Sequence, residues 1–428
     1  MTERRSHRLV RLSKVLLRFT SVQVLVQLTG MLVSLLLVRS MPKSQYAYYT
    51  IAMALLSTVL QLSDSGITPG LQAVGGPDHA DDHRMGQLVR TGIGLRRTMY
   101  FLAAAIALPI LPYMLWKAGA SLSIVLETLV LVIIATQLQL ITGIYSAVPT
   151  LRGDIGVLQW VSFAGAALRL LLILPAYFLY MSLGVALIAQ IVAGVGQVWI
   201  LLRWSKKNLD MSASPDATIR AGVMKIVRAQ VPYEIYGVFQ GQISVWLITL
   251  FGNSGQIANL GALMRLGVVF VIVPKVIGAV LVPYLSRSTQ LRQTRRIYWQ
   301  IFLAYILFTG TCLAGLLVRP DLILQLLGRQ YTNLHSDFVL AMIVAAVASM
   351  QGGILGTNAC RGWIIPAYYG ITLTILTQIV AFSLVNLSTV HGVLLAGLAV
   401  ALANLILQLV AAEVFMRKRA RNSIAVAS

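Results

Sequence analysis

The chain has 428 residues, of which 58% are hydrophobic and 11% charged, and a mean hydropathy of +0.81. An ordinary soluble domain carries about a quarter charged residues, so that class is excluded. The formal net charge of +21 invites a nucleic-acid partner, yet its distribution along the chain argues for membrane topology instead.

Roughly a dozen apolar runs long enough to cross a bilayer follow one another with short connections. Spans are expected near 15–38, 45–71, 98–116, 121–148, 156–180, 182–202, 229–251, 256–284, 299–318, 337–359, 365–387 and 391–416. Of the 34 Lys and Arg, 26 fall in the N-terminus, every second loop and the C-terminus, counting Arg18. The other loops hold five, and Arg169, Arg265 and Lys275 lie inside spans. This bias predicts an even number of spans with both termini in the cytoplasm, and no nucleic-acid partner.

The basic lead-in Arg4–Arg18 is expected to lie on anionic membrane lipids. No small-residue cleavage site follows the first span, which therefore reads as a retained helix. Gln23 and Gln27, four apart, share one face of it. The chain turns at Met41-Pro42-Lys43, and Tyr46, Tyr48 and Tyr49 then stand where interfacial aromatics are usual. The second span ends on Asp64-Ser65-Gly66, and a carboxylate that deep must face protein or water.

The loop holding Asp78, His79, Asp81, Asp82 and His83 has a metal-like composition. Gly75-Gly76-Pro77 beside it favours a solvated turn, and neither metal nor cofactor is expected. Arg90, Arg96 and Arg97 suggest a short surface helix before the third span. Glu127 enters the fourth span, and Arg169 lies about 20 Å along the fifth by helical rise. Gly184, Gly194 and Gly196 in the sixth indicate close helix packing.

The basic, polar interval 204–228 is expected to link bundles at 1–203 and 229–428. The seventh span carries Glu234, and the eighth carries Arg265, Pro274, Lys275 and Pro283. Cys312 and Cys360 form no CxxC and suggest no disulfide framework.

A weak internal repeat is visible at a shift of 211 residues. Ser44-Gln45-Tyr46-Ala47 lies over Gly255-Gln256-Ile257-Ala258, and Asp64 over Lys275. The fold class expected is an all-α integral membrane protein of about twelve spans. Two six-helix bundles that enter from the same side should be related by a pseudo-two-fold along the membrane normal, with a cavity between them.

Leu37-Val38-Arg39, Gln45-Tyr46-Ala47-Tyr48-Tyr49 and Asp64-Ser65-Gly66 resemble the opening pattern of polysaccharide-biosynthesis and O-antigen flippases. These belong to the multidrug/oligosaccharidyl-lipid/polysaccharide (MOP) exporter superfamily, with its MATE/MOP-like fold. Leu263-Met264-Arg265-Leu266 and Val282-Pro283-Tyr284-Leu285-Ser286-Arg287 are similar to that family's eighth helix. The resemblance implies alternating access and movement of an undecaprenyl-diphosphate-linked oligosaccharide from inner to outer leaflet of a bacterial inner membrane. A polymerase and glycosyltransferases would then be partners. Gln45-Tyr46-Ala47 stands where the family commonly has Glu-Tyr-Gly. Ser244 stands where it often has an acid, so cation coupling through the seventh span does not carry over.

The residue chemistry is compatible with that substrate. Arg169 and Arg265 suit phosphate through paired hydrogen bonds, and Lys275 does so as a point charge. Gln23 and Gln27 suit sugar hydroxyls, while Asp64 and Glu234 suit gating or coupling. The competing reading pairs the three cations with Glu127, Glu234 and Asp64. A MATE-like drug or metabolite antiporter would favour cavity carboxylates. A membrane polymerase or ligase would need a large outer loop, and 319–336 is short. No nucleotide-binding or common hydrolase motif appears, so an enzyme is not expected.

Overall fold

The computed structural model describes residues 25–427 apart from 283, 284, 286, 287, 289 and 364. Side chains are also left undescribed at 229, 230, 232, 233, 279, 280, 367 and 418–427. Gln23 lies outside the described residues. The described chain is all-helical. Nine of its helical spans are long and apolar enough to cross a membrane, and Leu25–Ser40 and Tyr368–Leu384 are shorter apolar helices. It is a multi-pass membrane protein.

The chain divides into two compact units, Met1–Ile243 and Ser244–Ser428. In the first, α1 (Leu25–Ser40) leads through Pro42 into α2 (Lys43–Asp64). Then come α3 (Ile67–Gly75), α4 (Asp82–Ala107), α5 (Ile110–Lys117) and α6 (Leu122–Tyr145). α7 (Ala147–Arg152), α8 (Ile155–Leu179) and α9 (Leu183–Asn208) follow, and α10 (Ala217–Phe251) continues past Ile243 into the second unit.

The helix boundaries differ from expectation in two places. The surface helix expected around Arg90–Arg97 is the front of the continuous 26-residue α4, started by Asp81, whose carboxylate accepts from the His83 and Arg84 amides. That N-cap satisfies donors a helix leaves unbonded, so the charged turn joins the apolar one without a break. Only 209–216 separates α9 from α10, and the basic residues expected in a linker over 204–228 sit mostly on helical turns.

The three tyrosines of α2 are a correction. Tyr46, Tyr48 and Tyr49 are all buried rather than placed at a lipid interface. Three buried residues in four positions cover most of a helical circumference, so this part of α2 is enclosed by other helices. Near the other end of the unit lies an apolar core of Ile67, Leu71, Leu88, Val148, Val223 and neighbours.

In the second unit, α11 (Ser254–Gly267) passes through a 3-10 turn, Val268–Val271, into α12 (Ile272–Val280). Then come α13 (Leu291–Leu317), α14 (Pro320–Leu327), α15 (His335–Ala359), α16 (Ala367–Leu384) and α17 (Val390–Ala427). Its core gathers Tyr298, Tyr305, Ile354 and Trp363, with Gly353 making room for the Tyr305 ring.

The internal repeat reappears as a hydrogen bond. The Gln45 side-chain oxygen accepts the Leu183 amide at 2.9 Å, at the start of α9. Gln256, its counterpart at the 211-residue shift, accepts the Val390 amide at 3.1 Å, at the start of α17. Each glutamine satisfies one of the unbonded donors at a helix N-terminus.

Candidate functional site

Arg169 lies in the middle of α8 and is half-buried. Its Nη2 donates to the Tyr49 hydroxyl at 2.8 Å, while its Nε is buried with no hydrogen-bond partner. Tyr49, itself buried, packs at 6.0 Å from the Tyr46 ring. Among the described residues no ion pair joins Arg169 to Glu127, so the competing pairing is corrected. Glu127 is exposed and lies over the backbone at Gly184, where a Cβ would collide with its carboxylate. Arg169 is therefore a half-buried cation oriented by a phenol, with no ion pair to an acid among the described residues. A guanidinium is always charged and offers donors on two edges, which makes this position suited to an anion.

Asp64 is also placed differently from the competing reading, which gave it to Lys275. It pairs with Arg96 of α4 through Arg96 Nη2. Asp64 Oδ1 also accepts the Thr68 hydroxyl at 2.6 Å and the Thr68 amide at 3.2 Å. Arg96 Nη2 donates to the Thr68 hydroxyl at 2.9 Å, and Nη1 to the Leu140 carbonyl at 3.0 Å. Only 6% of the Arg96 side chain is exposed, so the unit contains a buried cation that the sequence reading placed on a surface helix. One signal in the sequence marks it: Arg96 is on the same helical run as the apolar residues that follow. The structure adds the space, because a Cβ on Gly143 would lie 2.5 Å from Nη1.

The chain at Asp64 is sharply broken. Ser65 has φ of 34° and Gly66 of 87°, two consecutive left-handed residues that stop α2 before α3 begins. Glycine adopts this conformation at no cost and serine does not, so the break needs outside support. The Asp64–Thr68–Arg96 cluster supplies it.

Of the remaining candidates, Gln27 and Glu234 are half-buried, Arg265 is half-buried, and Lys275 is exposed on α12. Arg265 stands three residues before the 3-10 turn, whose Phe270 carbonyl accepts from Ser349 at 2.8 Å.

The acidic loop near 78–83 is tied down by pairing. His83 Nδ1 contacts Asp210 at 2.6 Å, Arg152 pairs with Asp82 at 2.7 Å, and Arg84 pairs with Asp216 at 3.1 Å. The Ser212 and His83 hydrogen bonds hold the Asp210 carboxyl at about 2. Asp216 is likewise held at about 2, first by the Thr218 hydroxyl and then by the Ile219 amide at the α10 N-terminus. The described residues include no cluster of three or more metal-ligating side chains.

No family model matches this sequence, and no curated protein does. Solved structures do match its fold. A multidrug-resistance MATE transporter of the MOP superfamily, inward-facing, is 14% identical with a TM-score of 0.66, covering 94% of this chain and 96% of that one. The lipid II flippase MurJ, in an inward closed conformation, is 12% identical with a TM-score of 0.68, covering 93% and 87%. The eukaryotic MATE transporter AtDTX14 is 13% identical with a TM-score of 0.64, covering 95% and 98%. The fold is thus shared with MOP-superfamily transporters along nearly the whole chain.

Proposed function

We propose that the protein is an alternating-access flippase. It moves an undecaprenyl-diphosphate-linked oligosaccharide from the cytoplasmic to the outer leaflet of a bacterial inner membrane, with both chain termini in the cytoplasm. The observation that carries this reading is Arg169, a half-buried guanidinium held by Tyr49 with no carboxylate paired to it among the described residues. An intramembrane arginine costs roughly 2.5–3.5 kcal/mol on insertion scales, and a diphosphate is a partner that offsets it. The fold shared with a lipid II flippase supports the same reading.

Arg265 supplies a second phosphate contact, and Lys275 a point charge. Gln23 and Gln27 serve sugar hydroxyls, and Glu234 takes a coupling role. Asp64 acts in gating, because its Oδ1 is already engaged by Thr68 and Arg96 and its charge would repel phosphate. Glycosyltransferases that assemble the lipid-linked unit and a polymerase that consumes it are the expected partners. An inside-negative potential favours the outward step, at most by about 4.6 kcal/mol per 100 mV for two negative charges.

The test uses purified protein in proteoliposomes with a fluorescent undecaprenyl-diphosphate disaccharide. Arg169→Ala should lower outward movement at least tenfold, Arg169→Lys should keep part of it, and Tyr49→Phe should lower it about threefold. A potassium-diffusion potential, inside negative, should speed the wild type. Wild-type movement by Arg169→Ala would overturn the assignment. Proton-driven export of a cationic dye without glycolipid movement would instead establish the antiporter reading, for which the exposed Glu127 is the motivating residue.

A further inference from the structure

The Asp64–Arg96 cluster, with its arginine buried and its aspartate partly exposed, sits at one end of a second feature, the packing of α3 against α10. Gly70 of α3 faces Val223 of α10, and a Cβ there would lie 3.0 Å from Val223 Cγ1. Gly222 of α10 faces Val74 of α3, again with 3.0 Å between a built Cβ and the valine Cγ2. Each helix thus offers a glycine to the other's valine. This reciprocal fit brings the two backbones close over one helical turn. The α10 N-terminus is fastened too, since Asp216 caps it, pairs with Arg84, and donates its amide to Thr91. By contrast, α3 follows α2 through the left-handed Ser65-Gly66 joint, bridged by the Thr68–Asp64 hydrogen bonds.

From this geometry we infer that α3 and the first turns of α10 form one gate element, and that Arg96 is the positioning residue that latches it. The latch works by charge. Arg96 reaches Asp64 before the joint, Thr68 after it, and the Leu140 carbonyl on α6, so one guanidinium fixes both sides of the break to the bundle. Its Nε is buried without a hydrogen-bond partner, so it is held through its two terminal nitrogens. Releasing Asp64 frees the joint to change angle, and the Gly–Val interlock makes α10 move with α3. Buried ion pairs add little net stability, and switching is among their best-attested roles.

The experiment reads the joint directly. Spin labels are placed at Ser44→Cys and Ala73→Cys, exposed positions on α2 and α3, after Cys312 and Cys360 are changed to serine. About 29 residues of helical rise separate them, on the order of 40 Å, within range of pulsed electron resonance. With Arg96 intact the distance distribution should be narrow. Arg96→Gln should at least double its width, and Arg96→Lys should fall between. The neutral pair Asp64→Asn/Arg96→Gln removes both charges together and leaves no unpaired buried ion. It should fold even if Arg96→Gln does not, and should give the broad distribution. In the proteoliposome assay the broadened variants should move glycolipid at least tenfold more slowly, with Arg96→Lys partly rescued.

Only this transport arm rests on the flippase reading; the distance arm stands without it. An unchanged distribution in both Arg96→Gln and the neutral pair overturns the latch, whether or not transport falls. A broadened distribution with a wild type that moves no glycolipid supports the latch and counts against the flippase assignment alone.

Discussion

The two units solve one problem in the same way and another in opposite ways. Gln45 and Gln256, 211 residues apart, each use a side-chain amide oxygen to receive the first backbone donor of a long helix in their unit, α9 in one and α17 in the other. Beyond that shared frame the interiors diverge. In the first unit the helix after the glutamine is broken by two left-handed residues and held by a partly exposed aspartate paired with a buried arginine. In the second, the corresponding helix passes through a 3-10 turn whose freed carbonyl takes a serine hydroxyl. There Asn358 donates to the Gln408 backbone and side chain at 3.0 and 3.1 Å, and Asn404 donates to Thr374 at 3.0 Å. Helix placement tolerates no loss of backbone hydrogen bonding in a membrane, so the frame is retained. The chemistry at the break is free to specialise, and the first unit took the charges.

Substitutions at the breaks test that contrast most strongly. Gly143→Val would push a side chain into the Arg96 guanidinium. It should cost about 2 kcal/mol or more, by overpacking and by displacing a buried charge. Gly352→Ala in the second unit meets no atom within 4 Å of its added Cβ and should be near neutral. Thermal unfolding in detergent measures both, and equal losses would erase the distinction between the units.

The shared frame predicts symmetry. Gln45→Leu and Gln256→Leu should each lose about 1 kcal/mol, because each leaves a helix-terminal amide unpaired. Glutamate at either site should keep the bond. A loss confined to one unit would show that the repeat survives in sequence but not in function. Ser349→Ala should cost less, about 0.5–1 kcal/mol, since one carbonyl of a 3-10 turn loses a neutral donor.

The smallest effect belongs to the polar rim of the first unit. Asp210 and Asp216 ionise at about 2 when folded, against an ordinary value of 3.8. Because the folded values are depressed, their contribution is complete above about pH 4. It fades as pH falls from there toward 2. Melting temperature in detergent should therefore drop more steeply below pH 4 in wild type than in Asp210→Asn/Asp216→Asn. Parallel acid profiles would show that the rim does not couple to folding.

The sequence by itself determined the membrane class, the approximate place of the spans and the repeat. Apolar runs must cross the bilayer as helices because lipid cannot satisfy an open backbone. It also marked Asp64 as needing an explanation and Arg169 as a candidate anion contact. What it did not determine was who partners whom. Tyr46, Tyr48 and Tyr49 look interfacial by position along the chain, but neighbouring helices enclose them. Arg96 looks like a surface charge by its neighbours Arg90 and Arg97. It is the buried counter-ion of Asp64, 32 residues away along the chain, in space left by Gly143 on a third helix. Hydropathy is a sum over local residues, so it reports which segments leave water. Pairing of buried charges depends on which faces meet, and only the packed helices decide that.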